Sequence, residues 1–135
     1  MAQGSFPERP LRLVVSFAPG SVTDVMGRFY GERLKDQLKQ PIVVENKPGA
    51  SGAIGVDAIA KSKPDGYSMV LTSSAIVINP LLGKQPFDLF KDLTPIVRPA
   101  QTPYALAVNN KMYKISEVVA VIGIVLLSQG IWLWF

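Results

Sequence analysis

The residues with the clearest chemical potential lie in the segment Phe17–Asp24, which reads FAPGSVTD. A strand-like apolar run, Leu11–Ser16, precedes this segment, and a helical pattern follows it. A glycine turn between a strand and a helix exposes backbone N–H groups at the helix N-terminus, where the helix dipole adds about half a positive charge. Such a terminus attracts carboxylates and phosphates. The segment therefore predicts an anion-binding site.

The composition argues against most enzymatic chemistry. The sequence contains no cysteine and no histidine. It therefore lacks disulfides, thiolate metal sites, cysteine nucleophiles, the usual general base and any Ser-His-Asp triad. The acidic residues are expected to cap turns or face solvent, and no two of them suggest a catalytic pair. We expect a binding protein that is not an enzyme and that needs no cofactor.

The charge pattern favours a small anionic ligand over a nucleic acid. The chain has 135 residues and a net charge of +4, but its basic residues are scattered and interrupted by acidic ones. A surface that follows a phosphate backbone normally needs clustered positive charge. We therefore expect no nucleic-acid partner.

The hydrophobic patterning predicts strands at 11–17, 42–45 and 68–73, with helices at 23–39 and near 53–62. Thr23 or Asp24 is expected to cap the first helix. Beyond residue 80 the pattern loosens, and 104–108 is predicted to be another strand. This β-α-β-α-β order predicts an α/β fold, a mainly parallel sheet with flanking helices.

Ligands bind beyond the carboxyl ends of the strands in such sheets. In this chain the loops predicted at that edge are 18–23, 46–52 and 73–79. They are distant in sequence and are expected to converge in space.

Several motifs occur in an order and spacing that are specific in combination. They are FPERPLRLVV from residue 6, FAPG followed by Thr23-Asp24, VENKPGA from residue 44, PDGY from residue 64 and KDLTP from residue 91. Over residues 6–114 the chain resembles the extracytoplasmic solute receptors of tripartite tricarboxylate transporters, the Bug or TctC family. Ser21 and Ser51 depart from this pattern, since the family commonly has glycine at both positions. The Ser51 hydroxyl could still cap the helix that follows it.

The resemblance implies most of the N-terminal lobe of a two-lobed, Venus-flytrap periplasmic binding protein. It implies a periplasmic receptor that binds small organic carboxylates and delivers them to the membrane subunits of a transporter. The ligand is expected at the first strand–helix loop and at the loop after the third strand. In this sequence those positions are Ala18, Pro19, Gly20, Ser21, Val22, Thr23, Asp24, Ser73 and Ser74.

The two ends of the chain differ from the family pattern over residues 6–114. No signal peptide is visible at the start. Residues 115–135 do not match the family pattern, and a shifted reading frame or a truncated gene is the preferred explanation. Residues 118–135 carry no charge. They could form a buried helix, or a membrane-associated helix that almost spans a bilayer.

Two other functions stay open on the sequence. The chain could be a truncated remnant that binds no solute and associates with a membrane through its apolar tail. It could also be a phosphate- or nucleotide-binding α/β enzyme, which the spacing Gly49-x-x-Gly52-x-x-Gly55 suggests weakly. That spacing lacks the Gly-x-Gly-x-x-Gly fingerprint, and no Gly-Lys-Ser/Thr follows it. Close packing of a helix on the sheet is the favoured explanation of these glycines.

Overall fold

The computed structural model describes residues 6–101 and the backbone of residues 131–134. These residues form five strands and three α-helices, and a short 3₁₀ turn, Ala50–Gly52, precedes the second helix. In chain order the elements are β1 (Leu11–Val15), α1 (Val22–Leu38), β2 (Ile42–Asn46), α2 (Ala53–Ala60), β3 (Ser68–Ser73), α3 (Ala75–Leu82), β4 (Pro95–Ala100) and β5 (Ile131–Trp134).

The strands form one sheet in the order β2-β1-β3-β5-β4. β1 pairs in parallel with both β2 and β3. β5 lies between β3 and β4 and is antiparallel to both of them. Four of the five strands therefore point the same way. The mainly parallel α/β sheet that the sequence predicts is confirmed.

The two faces of the sheet bury alternate residues of the same strands, as the two-residue period of a β-strand requires. On one face Leu13 and Leu71 pack with residues of α1. On the other face Val14 and Val70 pack with α2, α3 and the segment that follows α3. All four side chains are almost fully buried. Helices on both faces thus hold the strand ends in fixed positions.

The elements predicted on the first half of the chain are confirmed with small shifts at their ends. β3 has the predicted bounds, and α1 begins and ends one residue earlier than predicted. β1 ends at Val15 and not at residue 17. The Ser16 N–H still donates to the carbonyl of Leu71 (3.1 Å), so the pairing with β3 extends just past the strand.

The prediction that 73–79 is a loop is wrong, because Ala75–Leu82 forms α3. Pro80 lies inside this helix, and a proline inside an apolar run is a signal against a helix. β4 was also not predicted. It begins at Pro95 and is an edge strand, where proline is tolerated because one side of the strand needs no ladder hydrogen bonds. The predicted strand at 104–108 lies outside the described residues.

The interpretation of the apolar tail as a helix is wrong for its last part. Residues Ile131–Trp134 form β5, which pairs with β3 and β4 inside the sheet. None of the helices in residues 6–101 is long and apolar enough to cross a membrane. The remainder of the tail, from residue 115 to 130, lies outside the described residues.

The glycines near α2 serve close packing, as the sequence analysis favoured. A Cβ on Gly55 would lie 2.9 Å from the Lys47 carbonyl oxygen and 2.9 Å from Ser16 Cα. Ser51 has φ +52°, in the left-handed region where glycine costs least, and it makes no capping hydrogen bond to α2. The expectation that the Ser51 hydroxyl caps α2 is therefore wrong.

Candidate functional site

The carboxyl ends of β1 and β3 are joined by a buried hydrogen bond. Ser16 Oγ donates to Thr72 Oγ1 at 2.8 Å, and neither residue is exposed to solvent. Ser16 directly follows the last residue of β1, and Thr72 directly precedes the last residue of β3. The loop that contains Ala18–Gly20 and the Ser73–Ser74 pair therefore emerge at the same edge of the sheet.

Ser21 is the N-cap of α1. Its side-chain oxygen accepts a hydrogen bond from the Asp24 N–H (3.2 Å), and its carbonyl accepts one from the Val25 N–H (3.0 Å). The expectation that Thr23 or Asp24 caps this helix is wrong. Serine is among the best N-cap residues, because its oxygen can reach the N–H groups of the first turn. A serine at this position therefore stabilises the start of α1.

Two N–H groups of the first turn have no hydrogen-bond acceptor among the described residues. The Ser21 N–H donates to the Ala18 carbonyl at 3.2 Å, and Asp24 and Val25 donate to Ser21. The N–H groups of Val22 and Thr23 have no acceptor among these residues. The first turn of any α-helix has such free donors, and they attract anions.

The loop before these donors is open to solvent. Ala18, Pro19 and Gly20 are exposed, and Gly20 has a φ of +80°, which suits glycine in a tight turn. Val22 is 62% exposed, whereas Thr23 is buried. The Thr23 side chain makes no hydrogen bond to another residue in the described part of the chain. A small molecule can therefore approach the first turn of α1 from the solvent side.

The Asp24 carboxylate is buried and is fully engaged by the protein itself. It accepts hydrogen bonds from Gly20 N (2.9 Å), from Arg28 Nε (3.1 Å) and from Asn46 Nδ2 (2.8 Å). Arg28 Nη2 also lies 3.1 Å from Asp24 Oδ1. Asp24 therefore ties the exposed loop to the helix and to β2. Its contacts are those of a positioning residue.

These contacts lower the pKa of Asp24 from 3.8 to about 2. The backbone hydrogen bond from Gly20 makes the largest contribution, and the hydrogen bonds from Arg28 and Asn46 follow. Hydrogen bonds to the charged form favour ionisation, whereas burial opposes it. Asp24 is thus a carboxylate at neutral pH, and its negative charge is compensated by Arg28.

Arg28 and Asn46 are positioning residues that sequence reasoning missed. Asn46 Nδ2 donates to the Phe17 carbonyl (3.0 Å) as well as to Asp24, and Asn46 Oδ1 accepts from Arg28 Nη2 (3.1 Å). Asn46 ends β2, so it links the ends of two neighbouring strands. The sequence analysis placed Asn46 in a loop predicted at the carboxyl edge of the sheet. That location was the one indication in the sequence that Asn46 belongs to the site.

Ser73 and Ser74 lie at the junction of β3 and α3. Ser73 ends the strand, and its hydroxyl accepts a hydrogen bond from the Ala75 N–H at 3.3 Å. Ser74 is the N-cap residue of α3 and is buried. Both serines therefore stand at a helix N-terminus, as the predicted ligand-binding residues of α1 do.

The three helices add their dipoles at one edge of the sheet. α1, α2 and α3 follow β1, β2 and β3 respectively, so each begins where a parallel strand ends. The N-terminus of a helix carries about half a positive charge. The Asp24 carboxylate at this edge is paired with Arg28, so its negative charge does not cancel the helix dipoles.

No metal centre is formed by the residues that the structure describes. Within 6–101 and 131–134, no three histidine, cysteine, aspartate or glutamate side chains are grouped as metal ligands would be.

The fold and this edge define a class of protein: one α/β lobe with helix N-termini gathered at the carboxyl ends of its parallel strands. The model of the tripartite tricarboxylate transporter family receptors, TctC, matches residues 26–124. The chain belongs to this family, whose members are receptors of a transport system. The resemblance stated from the sequence motifs is confirmed.

Curated relatives agree with this assignment. Protein BugT of Bordetella pertussis is 40% identical over 111 residues, which are 80% of this chain and 34% of that protein. A UPF0065 protein of Bordetella bronchiseptica is 42% identical over 120 residues, or 86% of this chain and 36% of the relative. The chain thus spans about a third of the length of these relatives.

Solved structures show the same fold. A TctC solute-binding protein from Polaromonas is 33% identical with a TM-score of 0.69, over 87% of this chain and 41% of that one. MatC from Rhodopseudomonas palustris, with bound malate, is 31% identical with a TM-score of 0.65, over 73% and 34% of the two chains. An R. palustris protein with adipate is 26% identical with a TM-score of 0.67, over 86% and 40%.

Proposed function

We propose that this chain binds a small organic carboxylate at the N-terminus of α1. The free N–H groups of Val22 and Thr23 are the observation that carries the proposal. They donate to the carboxylate oxygens, and the Thr23 hydroxyl adds a third donor. Ser73 and Ser74 assist from the adjoining strand end. The malate and adipate bound by two structural relatives belong to this ligand class.

The Asp24 network prepares the site before the ligand arrives. Gly20, Arg28 and Asn46 donate hydrogen bonds to Asp24, and these bonds hold the exposed loop in one conformation. A loop fixed in advance loses little conformational entropy on binding. The ligand then lies against the backbone of Ala18, Pro19 and Gly20. Asp24 holds this loop in place without contacting the ligand.

The biological role that we propose is that of a periplasmic receptor. In this proposal residues 6–114 belong to the N-terminal lobe of a receptor that presents its carboxylate to the membrane subunits of a tripartite tricarboxylate transporter. Family membership supports this role. The chemistry is binding and release, without turnover of the ligand.

The substitution Val22→Pro tests the site, because proline removes one of the two free N–H groups. Proline is well tolerated at the first position of a helix. Ser21 has φ −67° and ψ 160°, the extended conformation that a residue before proline prefers. We therefore expect the variant to fold. A hydrogen bond to a charged group contributes about 1.5–3 kcal/mol, so malate affinity should fall by about 10- to 100-fold.

The matched control is Val22→Ala, which removes the same side chain but keeps the N–H group. Titration calorimetry with malate and adipate should give near-normal affinity for this variant. Adipamide, the neutral diamide of adipate, should not bind the unaltered chain. Equal affinities of the proline and alanine variants for malate would exclude the Val22 N–H as a ligand contact.

A further inference from the structure

A left-handed turn lies in the loop between β2 and α2. Gly49, Ala50, Ser51 and Gly52 follow one another with φ values of +128°, +46°, +52° and +93°. Ala50 and Ser51 carry a Cβ, and such residues are less stable in the left-handed region than in their usual conformations. Backbone strain of this kind persists only where the surrounding structure fixes it, and it is common where a protein holds a ligand.

Asn79 of α3 fixes this turn. Asn79 is buried, and its Nδ2 donates to the carbonyls of Ala50 (3.5 Å) and Ser51 (3.3 Å). The Asn79 carbonyl accepts hydrogen bonds from Gly83 N and Gln85 Nε2, both at 3.2 Å. The turn is therefore held through its backbone from the side of α3, and the Ser51 side chain takes no part in these contacts.

The turn lies at the same edge of the sheet as the proposed carboxylate site. A Cβ on Gly52 would lie 3.1 Å from Ser16 Oγ and 3.2 Å from Thr72 Oγ1, the pair that joins the ends of β1 and β3. Ser51 is the residue before Gly52, and it is exposed. Its hydroxyl makes no hydrogen bond to another described residue, so it is available to a bound molecule.

We propose that the Ser51 hydroxyl donates to a second carboxylate of the ligand and so favours dicarboxylates over monocarboxylates. This inference rests on the proposed function, in which the first carboxylate lies at the N–H groups of Val22 and Thr23. A serine hydroxyl can donate to a carboxylate oxygen. The helix α2 begins two residues after Ser51, and the positive end of its dipole favours a negative group there. The fixed backbone gives the Ser51 side chain a fixed position.

Titration calorimetry of the full chain with adipate and with hexanoate tests this inference. The two ligands have the same number of carbon atoms, but hexanoate has a single carboxylate. Ser51→Gly relieves the backbone strain and removes the hydroxyl. Ser51→Ala removes the hydroxyl but keeps the Cβ in the left-handed region. Ser51→Asn supplies another side-chain donor, in a residue type that tolerates this region.

We expect Ser51→Gly and Ser51→Ala to bind adipate about tenfold more weakly than the unaltered chain, because each loses a hydrogen bond to a charged group. Ser51→Asn should bind adipate nearly as well as the unaltered chain, and hexanoate affinity should stay the same in every variant. Ser51→Gly should also have a raised thermal midpoint, since relief of the left-handed strain exceeds the entropy that glycine adds to the unfolded chain. A residue that only shaped the loop would not lower adipate affinity alone while stability rises.

Two results would overturn the role of Ser51 and leave the contacts at α1 in place. One is equal adipate affinity in the unaltered chain and all its Ser51 variants. The other is a loss of hexanoate affinity as large as the loss of adipate affinity. Failure of the unaltered chain to bind either acid would instead contradict the proposed function, and the inference about Ser51 would fail with it.

Discussion

At the scale of single residues, the proposed site depends on a division between the groups proposed to contact the ligand and the groups that hold the loop. Val22 and Thr23 have N–H groups without an acceptor in the described part of the chain, whereas both carboxylate oxygens of Asp24 accept hydrogen bonds from Gly20, Arg28 or Asn46. The carboxylate that the sequence marked as a ligand contact therefore faces its own chain. Its effect on binding should be indirect.

The substitution Asp24→Asn should remove a pH-dependent part of the stability. The folded pKa of about 2 lies below the ordinary value of 3.8, so the ionised carboxylate stabilises the fold above about pH 4. This contribution is lost as the pH falls toward about 2. The thermal midpoint of the variant should lie below that of the unaltered chain at neutral pH, and the difference should shrink across this range.

Asp36→Asn is the matched control, because Asp36 is an exposed residue of the same helix. Its midpoint should stay close to that of the unaltered chain throughout. Glu45 and Asp88 also have lowered pKa values, but they are present in all three proteins and cancel in the comparison. A constant difference between Asp24→Asn and the unaltered chain from neutral to acid pH would contradict this account.

The sequence predicted the exposed loop and missed the network behind it. Residues 17–24 stand out because a glycine turn between a strand and a helix has a local pattern. Arg28 and Asn46 lie 18 residues apart, and their contact exists only once α1 packs beside β2. The N-cap was assigned to Thr23 or Asp24 instead of Ser21 because several adjacent residues had suitable side chains.

At the scale of elements, the close approach of α2 to the sheet depends on Gly55. Gly55→Ala should destabilise the fold by about 1–3 kcal/mol, because the added Cβ meets the backbone of Lys47 and Ser16 at 2.9 Å. Urea unfolding measures this change in the free energy of unfolding. The intrinsic helix preference of alanine over glycine acts in the opposite direction by about 1 kcal/mol.

Gly31→Ala in α1 is the matched control for this prediction. There the nearest atom to an added Cβ is the Val44 side-chain carbon Cγ2, at 3.3 Å, and no backbone atom is among its three nearest neighbours. A side chain can move aside more easily than backbone, so this variant should keep nearly normal stability. If both variants lose the same free energy, backbone contact is not the reason for glycine at position 55.

The elements that the sequence predicted are those with a clear local period. α1 has apolar residues at helical spacing, and β3 is a short apolar strand between turns. α3 contains Pro80, and β4 contains two prolines, so their local signals argue against regular structure. Packing on the sheet overrides these local signals, because α3 buries Ile76 and β4 lies at an edge. β5 pairs with β3 and β4, and the local sequence pattern of β5 does not predict this pairing.

At the scale of the whole molecule, the chain supplies one wall of the proposed carboxylate site. It spans about a third of the length of its curated relatives and matches the receptor model over residues 26–124. The strands β1, β2 and β3, the three helix N-termini and the Asp24 network are all contained in residues 11–82. The proposed anion contacts therefore need no residue from outside this part of the fold.

Titration of the full chain with malate, followed through the backbone amide NMR signals, shows whether the first turn of α1 binds a carboxylate. The N–H signals of Val22 and Thr23 should shift the most and should saturate, because these groups donate to the carboxylate. The amide signal of Asp24 should move less, since its N–H already donates to Ser21 Oγ. Malate-dependent shifts that leave Val22 and Thr23 unchanged, or no shifts at any concentration, would contradict the account.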